Sequence, residues 1–218
     1  MTALIFDTES TGITEPRLIE AAWLEVTPAL EIKNRFHQRY NPGKPIELGA
    51  LATHHIMDED LQGCPAYSDF TLPPTTEYLI GHNVDYDWKL IGEPKVKRIC
   101  TLALARYIWP DLDCHKQSAL LYYINRAKAR EQLKEAHTAE ADVMNCMRVM
   151  YRILQVLEPQ EKESWDRIWQ VSEIARVPVV ITFGKHKGTE IKKLPADYKS
   201  WLLKQDDVDP YLAKALRA

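Results

Sequence analysis

The stretch LIFDTES, residues 4–10, decides how the rest of the chain is read. An apolar run, Ala3 to Phe6, reads as a buried strand and ends abruptly in two acids, Asp7 and Glu9, with Thr8 between them. Successive strand side chains point to opposite faces, so residues two apart emerge on the same side. Carboxylates that close repel, and each raises the other's pKa. A strand ending in such a pair calls for something that offsets the repulsion, and a bound cation does so by keeping both acids ionised.

Working outward, LIEAAWLEV (18–26) and RFHQRYN (35–41) read as two further strands, with NPGKP as the turn that follows. IELGALATHHI (46–56) predicts a short helix. EYLIGHN (77–83) predicts another strand, with Asn83 as the cap of a helix over VDYDWKLIG that Gly92 ends. KRICT (97–101) reads as a strand, and LALARYIW (102–109) and KQSALLYYIN (116–125) as helices. From about 138 to 157, Ala139, Val143, Cys146, Met147, Met150, Leu154 and Leu157 recur every three or four residues, an amphipathic helix. A separate helix is expected over 160–175, with Trp165 and Trp169 in packing roles. Strands first, then strands alternating with helices, predict an α/β fold: a mixed central sheet flanked by helices, with a small C-terminal module. The expected division is a main domain over 1–157, a connecting helix over 158–177 and a basic module over 178–218.

The 218 residues suffice for one domain with a full core plus a small module. A hydrophobic content of 45% with 27% charged residues fits a folded chain rather than a disordered one. No apolar run is long enough to span a bilayer, and no membrane partner is expected. The N-terminus lacks the pattern of a signal peptide. Cys64, Cys100, Cys114 and Cys146 are scattered without a CxxC pair, which disfavours both a zinc site and a disulfide framework. Free thiols and a cytoplasmic location are the expectation. The formal net charge of −3 is not that of a protein that coats nucleic acid by bulk charge. From Pro178 onward, however, eight lysines and arginines face five acids.

The remaining acids fall into a pattern. Asp7 and Glu9 form one cluster, GHNVDYD supplies Asp85 and Asp87, and HTAEAD supplies His137, Glu140 and Asp142. Each cluster lies at a strand end or helix start, where side chains reach a cleft. Hard divalent cations take oxygen ligands, and magnesium takes few carboxylates while leaving room for phosphate. Two such ions about 3.5–4 Å apart clamp a phosphodiester from both sides. Asp85 is read as a solvated charge and Glu140 as compensation of the helix dipole.

FDTESTG, GHNVDYD and HTAEAD together resemble the three motifs of the DEDD exonuclease superfamily in its histidine-bearing branch, which includes polymerase proofreading subunits and ribonuclease T. The resemblance spans residues 7–142 and implies a ribonuclease H-like fold and a hydrolase. Asp7, Glu9, Asp87 and Asp142 would hold two Mg²⁺ ions, with Mn²⁺ as a substitute, and His137 would be the general base, its pKa suited to taking a proton from water. Five residues do not share a helix face, so His137 should precede the helix and Thr138 should cap it. Thr8, Ser10, Thr11 and Gly12 would lie near the terminal nucleotide. ATHHI resembles the family's His-Gly-Ile segment, with His54 in the histidine position and His55 replacing the glycine.

The implied activity is 3′→5′ hydrolysis of DNA ends, single-stranded or duplex, releasing nucleoside 5′-monophosphates in repair or recombination. A homodimer is compatible with it. An exoribonuclease of the same family and a non-catalytic nucleic-acid or polymerase-binding module stay open as alternatives. In the C-terminal module, FGKHKG sets Lys185 and Lys187 in a glycine-bracketed turn, where cations and backbone N–H groups can meet substrate phosphate.

Overall fold

A computed structural model describes residues 2–133, 137–205 and 207–218. The chain divides into two compact units, Met1–Ser172 and Glu173–Ala218. In the first unit a five-stranded sheet has the order β3-β2-β1-β4-β5. Its strands are β1 (Thr2–Ser10), β2 (Leu18–Val26), β3 (Ile32–Arg39), β4 (Thr76–Gly81) and β5 (Lys97–Cys100). β1 to β3 form an antiparallel meander, while β4 and β5 join in parallel through helical crossovers.

The helices of this unit are α1 (Leu48–His54), α2 (Asp85–Leu90), α3 (Thr101–Ile108), α4 (Gln117–Gln132), α5 (Ala139–Val156) and α6 (Trp165–Ala175), the last of which runs on across the division. On one face of the sheet, Leu4, Phe6, Ala21, Trp23 and Leu79 form a core with Phe36, Phe70 and Trp88 packed against it. On the opposite face α5 lies over β1 and β2, and α3 and α4 pack against α5. Of the amphipathic stripe read from the sequence, Ala139, Val143, Cys146, Met150 and Leu154 lie on the buried side of α5, joined there by Val149 and Ile153, while Met147 is half-buried.

Three local expectations change. The Asn83 side chain does not cap α2; Asn83 takes a left-handed backbone (φ 73°), and its carbonyl accepts from the Tyr86 N–H. Asp85 is not simply solvated, because it pairs with Arg98, whose guanidinium lies 3.8 Å from the centre of the Trp88 ring. The helix expected to stop at Asn125 continues to Gln132. Asn125 breaks the helical backbone, and its side chain accepts from the Lys128 N–H, so the same residue ends one segment and caps the next.

The second unit has its own core of Ile181, Ile191, Leu194, Leu202, Leu212, Ala215 and Leu216. Helices α7 (Ala196–Leu202) and α8 (Pro210–Arg217) supply most of it. The unit's β-structure among the described residues is a single bridge, Val180 with Glu190. No helix among the described residues is long and apolar enough to cross a membrane.

Candidate active site

β1 is the central strand, and it outruns its parallel partner: pairing with β4 ends at Ile5 and Ile80. The last residues of β1 therefore leave backbone groups free on that side. Asp87, on α2, takes one of them. Its Oδ1 accepts from the Thr8 N–H at 3.0 Å and from the Thr8 hydroxyl at 2.6 Å. Thr8 thus holds the second acidic segment against the first, while its neighbours Asp7 and Glu9 point to the other face.

That other face is where α5 begins. Thr138 caps the helix through a bond from the Ala141 N–H, as expected. Asp142, one turn in, is held from several sides. Gln117 Nε2 and Asn145 Nδ2 donate to its Oδ1 at 3.1 and 3.4 Å, and the His137 N–H donates to its Oδ2 at 3.1 Å. His137 is exposed and left-handed (φ 70°), so the chain turns sharply just before the helix, and the carboxylate of Asp142 ties that turn down.

Carboxylate oxygens of Asp7, Glu9 and Asp142 lie within 4.8 Å of one another. Four acids from three segments now share one low-dielectric neighbourhood. Burial comes first and mutual repulsion second in pushing Asp7 well above the usual carboxylate range. The same two causes raise Glu9 to about 9. Burial lifts Asp87 to about 7 against the pull of its Thr8 bonds, and it raises Asp142 as well. A crowd of buried oxygens that cannot all ionise is a donor set suited to hard divalent cations, and bound cations would return each acid to its charged form.

One residue that the sequence reading passed over is central to the arrangement. Glu20, paired with Glu9 across β1 and β2, is fully buried. Its Oε1 accepts from Arg39 Nε and from His37 Nε2, both at 3.0 Å, and its Oε2 accepts from the Ala139 N–H at 2.8 Å. These bonds keep its pKa low despite burial. The Ala139 N–H is one of the helix-start donors without an intrahelical partner, so Glu20 anchors the turn of α5 that carries Asp142. The sequence held one signal, an acid in the middle of an apolar strand.

Thr8, Glu9, Ser10, Gly12 and His54 line a cleft of about 340 Å³ together with Glu47 and Tyr86. The Ser10 hydroxyl meets the Tyr86 hydroxyl at 2.6 Å. Glu47 accepts from the Ile13 and Thr14 N–H groups at 3.0 and 2.9 Å, pinning the loop after β1. Gly12 is needed there. Its φ is 142°, and a Cβ would stand 2.2 Å from the Glu47 carboxyl carbon. Thr11 is apart from the cleft, fully buried, with its hydroxyl accepting from the Arg17 N–H. His54 is 4% exposed; its Nδ1 accepts from the Ile56 N–H, which places the ring proton on Nε2, and burial lowers its pKa. His55, standing where the family resemblance expects glycine, adopts a left-handed backbone (φ 58°) as the C-cap of α1. Lys185 and Lys187 belong to the second unit, on an exposed loop.

His82 serves structure beside this site. Its Nε2 reaches the His115 carbonyl at 2.9 Å and its Nδ1 lies 3.0 Å from the Thr101 hydroxyl; burial pushes its pKa down to about 4.

Comparison with known proteins agrees with this geometry. The exonuclease family of ribonuclease T type matches residues 4–150. Exodeoxyribonuclease 10 of Escherichia coli K12 is 25% identical over 222 residues, covering 98% of this chain and 96% of that protein. The DNA polymerase III epsilon subunit of Buchnera aphidicola is 28% identical over 162 residues, covering 64% and 67%. Among solved structures, exonuclease X in complex with 5′-overhanging duplex DNA superposes with a TM-score of 0.60 at 24% identity, covering 76% of this chain and 99% of that one. The nuclease domain of 3′hExo, a DEDDh family member bound to rAMP, gives 0.52 at 15% identity, covering 71% and 92%. Both share the ribonuclease H-like fold. Three acidic segments converging on one end of that sheet, in a chain whose residues 4–150 match the family, make the protein a nuclease belonging to the exonuclease family of ribonuclease T type.

Proposed function

We propose that the protein is a Mg²⁺-dependent 3′→5′ exodeoxyribonuclease that removes nucleoside 5′-monophosphates from DNA ends in the cytoplasm, in repair or recombination. The observation that carries this reading is the approach of Asp7, Glu9 and Asp142 to within 4.8 Å, with Asp87 bonded to the intervening Thr8. Asp7, Glu9, Asp87 and Asp142 would hold two ions, which when bound stabilise charge on the attacking and leaving oxygens of the scissile phosphodiester.

The chain's own groups do the rest. His137, exposed one residue before the cap of α5, takes the proton from the attacking water. Its backbone bond to Asp142 sets its position relative to the acids. Ser10, Gly12 and His54 line the cleft that would receive the terminal nucleotide, and Tyr86 and Glu47 hold its walls. Similarity over nearly the full length to an exodeoxyribonuclease favours DNA over RNA. Residues 178–218 would form a basic module that adds affinity for the strand, with Lys185 and Lys187 on phosphate.

The test uses single strands labelled at either end. With Mg²⁺, the 3′ label should leave first as a mononucleotide while the 5′-labelled strand shortens step by step. With chelator both should stay intact. Release of the 5′ label first, or equal hydrolysis in chelator, would overturn the proposal.

A further inference from the structure

The second unit exposes aromatic surface that its core does not use. Trp201, on α7, is 53% exposed, although the unit has a complete apolar core of its own. Its ring stacks on Tyr198, one turn earlier, at 5.5 Å between centroids and 26° between planes. Tyr198 in turn meets the ring of His186 at 4.4 Å. Three rings therefore run in series from the loop onto the helix.

The loop is held in place for this. Its two ends are tied by bonds from the Ile181 N–H to the Thr189 carbonyl and from the Gly188 N–H to the Ile181 carbonyl. The Lys187 N–H donates to the Gly184 carbonyl, a tight turn with Lys185 and His186 at its two central positions. Gly184 is left-handed (φ 63°), and a Cβ there would come to 3.4 Å from the Tyr198 hydroxyl, so the turn lies directly on that ring. Half-buried Tyr198 suffices to anchor the loop. Trp201, at the open end of the series, is not needed for anchoring and presents its ring to solvent.

Charge completes the picture. Glu190 is taken up by Lys192 and Lys193, and Asp209 caps α8. Among the described residues, Lys185 and Lys187 have no ion-pair partner, and both are exposed beside His186. Rings that offer a face, flanked by cations on a fixed loop, match the two needs of an unpaired strand: base stacking and phosphate neutralisation.

We propose that His186, Tyr198 and Trp201, with Lys185 and Lys187, form a docking surface for single-stranded DNA, the bases stacking on the rings and the lysines meeting phosphates. This rests on the reading of the chain as a nuclease of DNA, but it concerns a surface that needs neither a strand end nor a metal ion.

The test separates the two. A fluorescent circular single strand of DNA has no end, and chelator stops hydrolysis, so binding of the circle by the full chain reports contacts that need neither, and the Trp201 variants assign them to this surface. Trp201→Ala should bind it about tenfold more weakly, while Trp201→Phe, which keeps a ring, should stay near the native affinity. A circle of the same length with abasic sites throughout should bind the native chain more weakly and should not distinguish it from Trp201→Ala. Replacing Lys185 and Lys187 together by alanine should flatten the logarithmic salt dependence by about 1.4, the share of two phosphate contacts on a single strand. Matching thermal melts would establish that the variants are folded. Equal binding of the circle by the native chain and Trp201→Ala, or no binding by either, would overturn the proposal, whatever the end-labelled hydrolysis assay gives.

Discussion

Glu9→Gln should stabilise the metal-free protein. Gln has the shape of Glu but no charge, so the substitution isolates the electrostatics of the acidic cluster. In the folded chain, burial and the nearby Asp142, Glu20 and Asp87 raise Glu9 from 4.5 to about 9. A carboxyl whose folded pKa is raised binds its proton more tightly when folded, so it opposes folding as pH climbs above the unfolded value. At pH 7 the unfolded side chain is ionised while the folded one keeps its proton, which at about 1.4 kcal/mol per pH unit costs the folded state about 3 kcal/mol. Gln escapes that cost but brings an amide into a buried place, which takes back about 1 kcal/mol. The net expectation is a gain of about 2 kcal/mol, read from urea unfolding in chelator at pH 7. The gain should fall to zero near about pH 5, become a loss of about 1 kcal/mol near pH 4, where both states are protonated and only the amide cost is left, and widen up to about pH 9. Saturating Mg²⁺ should reverse the order, since ligand that binds only the folded state at a hundred times its Kd adds about 2.7 kcal/mol to the native chain. A variant less stable than the native chain in chelator at pH 7, or a difference independent of pH, would refute the reasoning.

Further outcomes follow from particular contacts. Glu20→Gln removes the charge that faces Arg39 and His37 and loosens the Ala139 anchor; it should cost about 3 kcal/mol in urea unfolding and slow hydrolysis at saturating DNA. Gly12→Ala forces a Cβ into the Glu47 carboxyl at a left-handed position and should cost about 1–3 kcal/mol, with strand hydrolysis falling while Mn²⁺ binding is kept. His82, with its pKa pushed down to about 4, contributes stability that is full above pH 6.5 and is lost as pH falls towards 4, by about 3 kcal/mol. His82→Gln should lack that part of the acid profile, and a ring resonance that still titrates near 6.5 in the folded native chain would contradict it.

Much of the first unit was legible because its signals are local. The period of two in LIFDTES put Asp7 and Glu9 on one face, and the stripe from Ala139 to Leu154 gave α5 nearly to the residue. Thr138 was readable as a cap from residue type alone. The missed features depend on partners distant in sequence. Glu20 looks like an interruption of an apolar strand until Arg39, His37 and Ala139 are seen around it. Glu47 carries no motif, and its role appears only once the loop after β1 folds back onto it. Asp85 finds Arg98 across a crossover. Asn125 misled for a different reason: a residue that ends one helix and begins another gives the same local signal as a stop. The aromatic series of the second unit was hidden because His186 lies twelve residues before Tyr198, a spacing with no periodic meaning.

The most direct measurement is a count of Mn²⁺ ions bound per chain, by electron paramagnetic resonance, in the native protein and in Asp7→Asn. Two ions bound in the first and a loss of at least one in the second, with strand hydrolysis disappearing alongside, is the outcome that converging carboxylates demand. Hydrolysis that persists in Asp7→Asn, or a native chain that binds no ion while still shortening DNA, would contradict it.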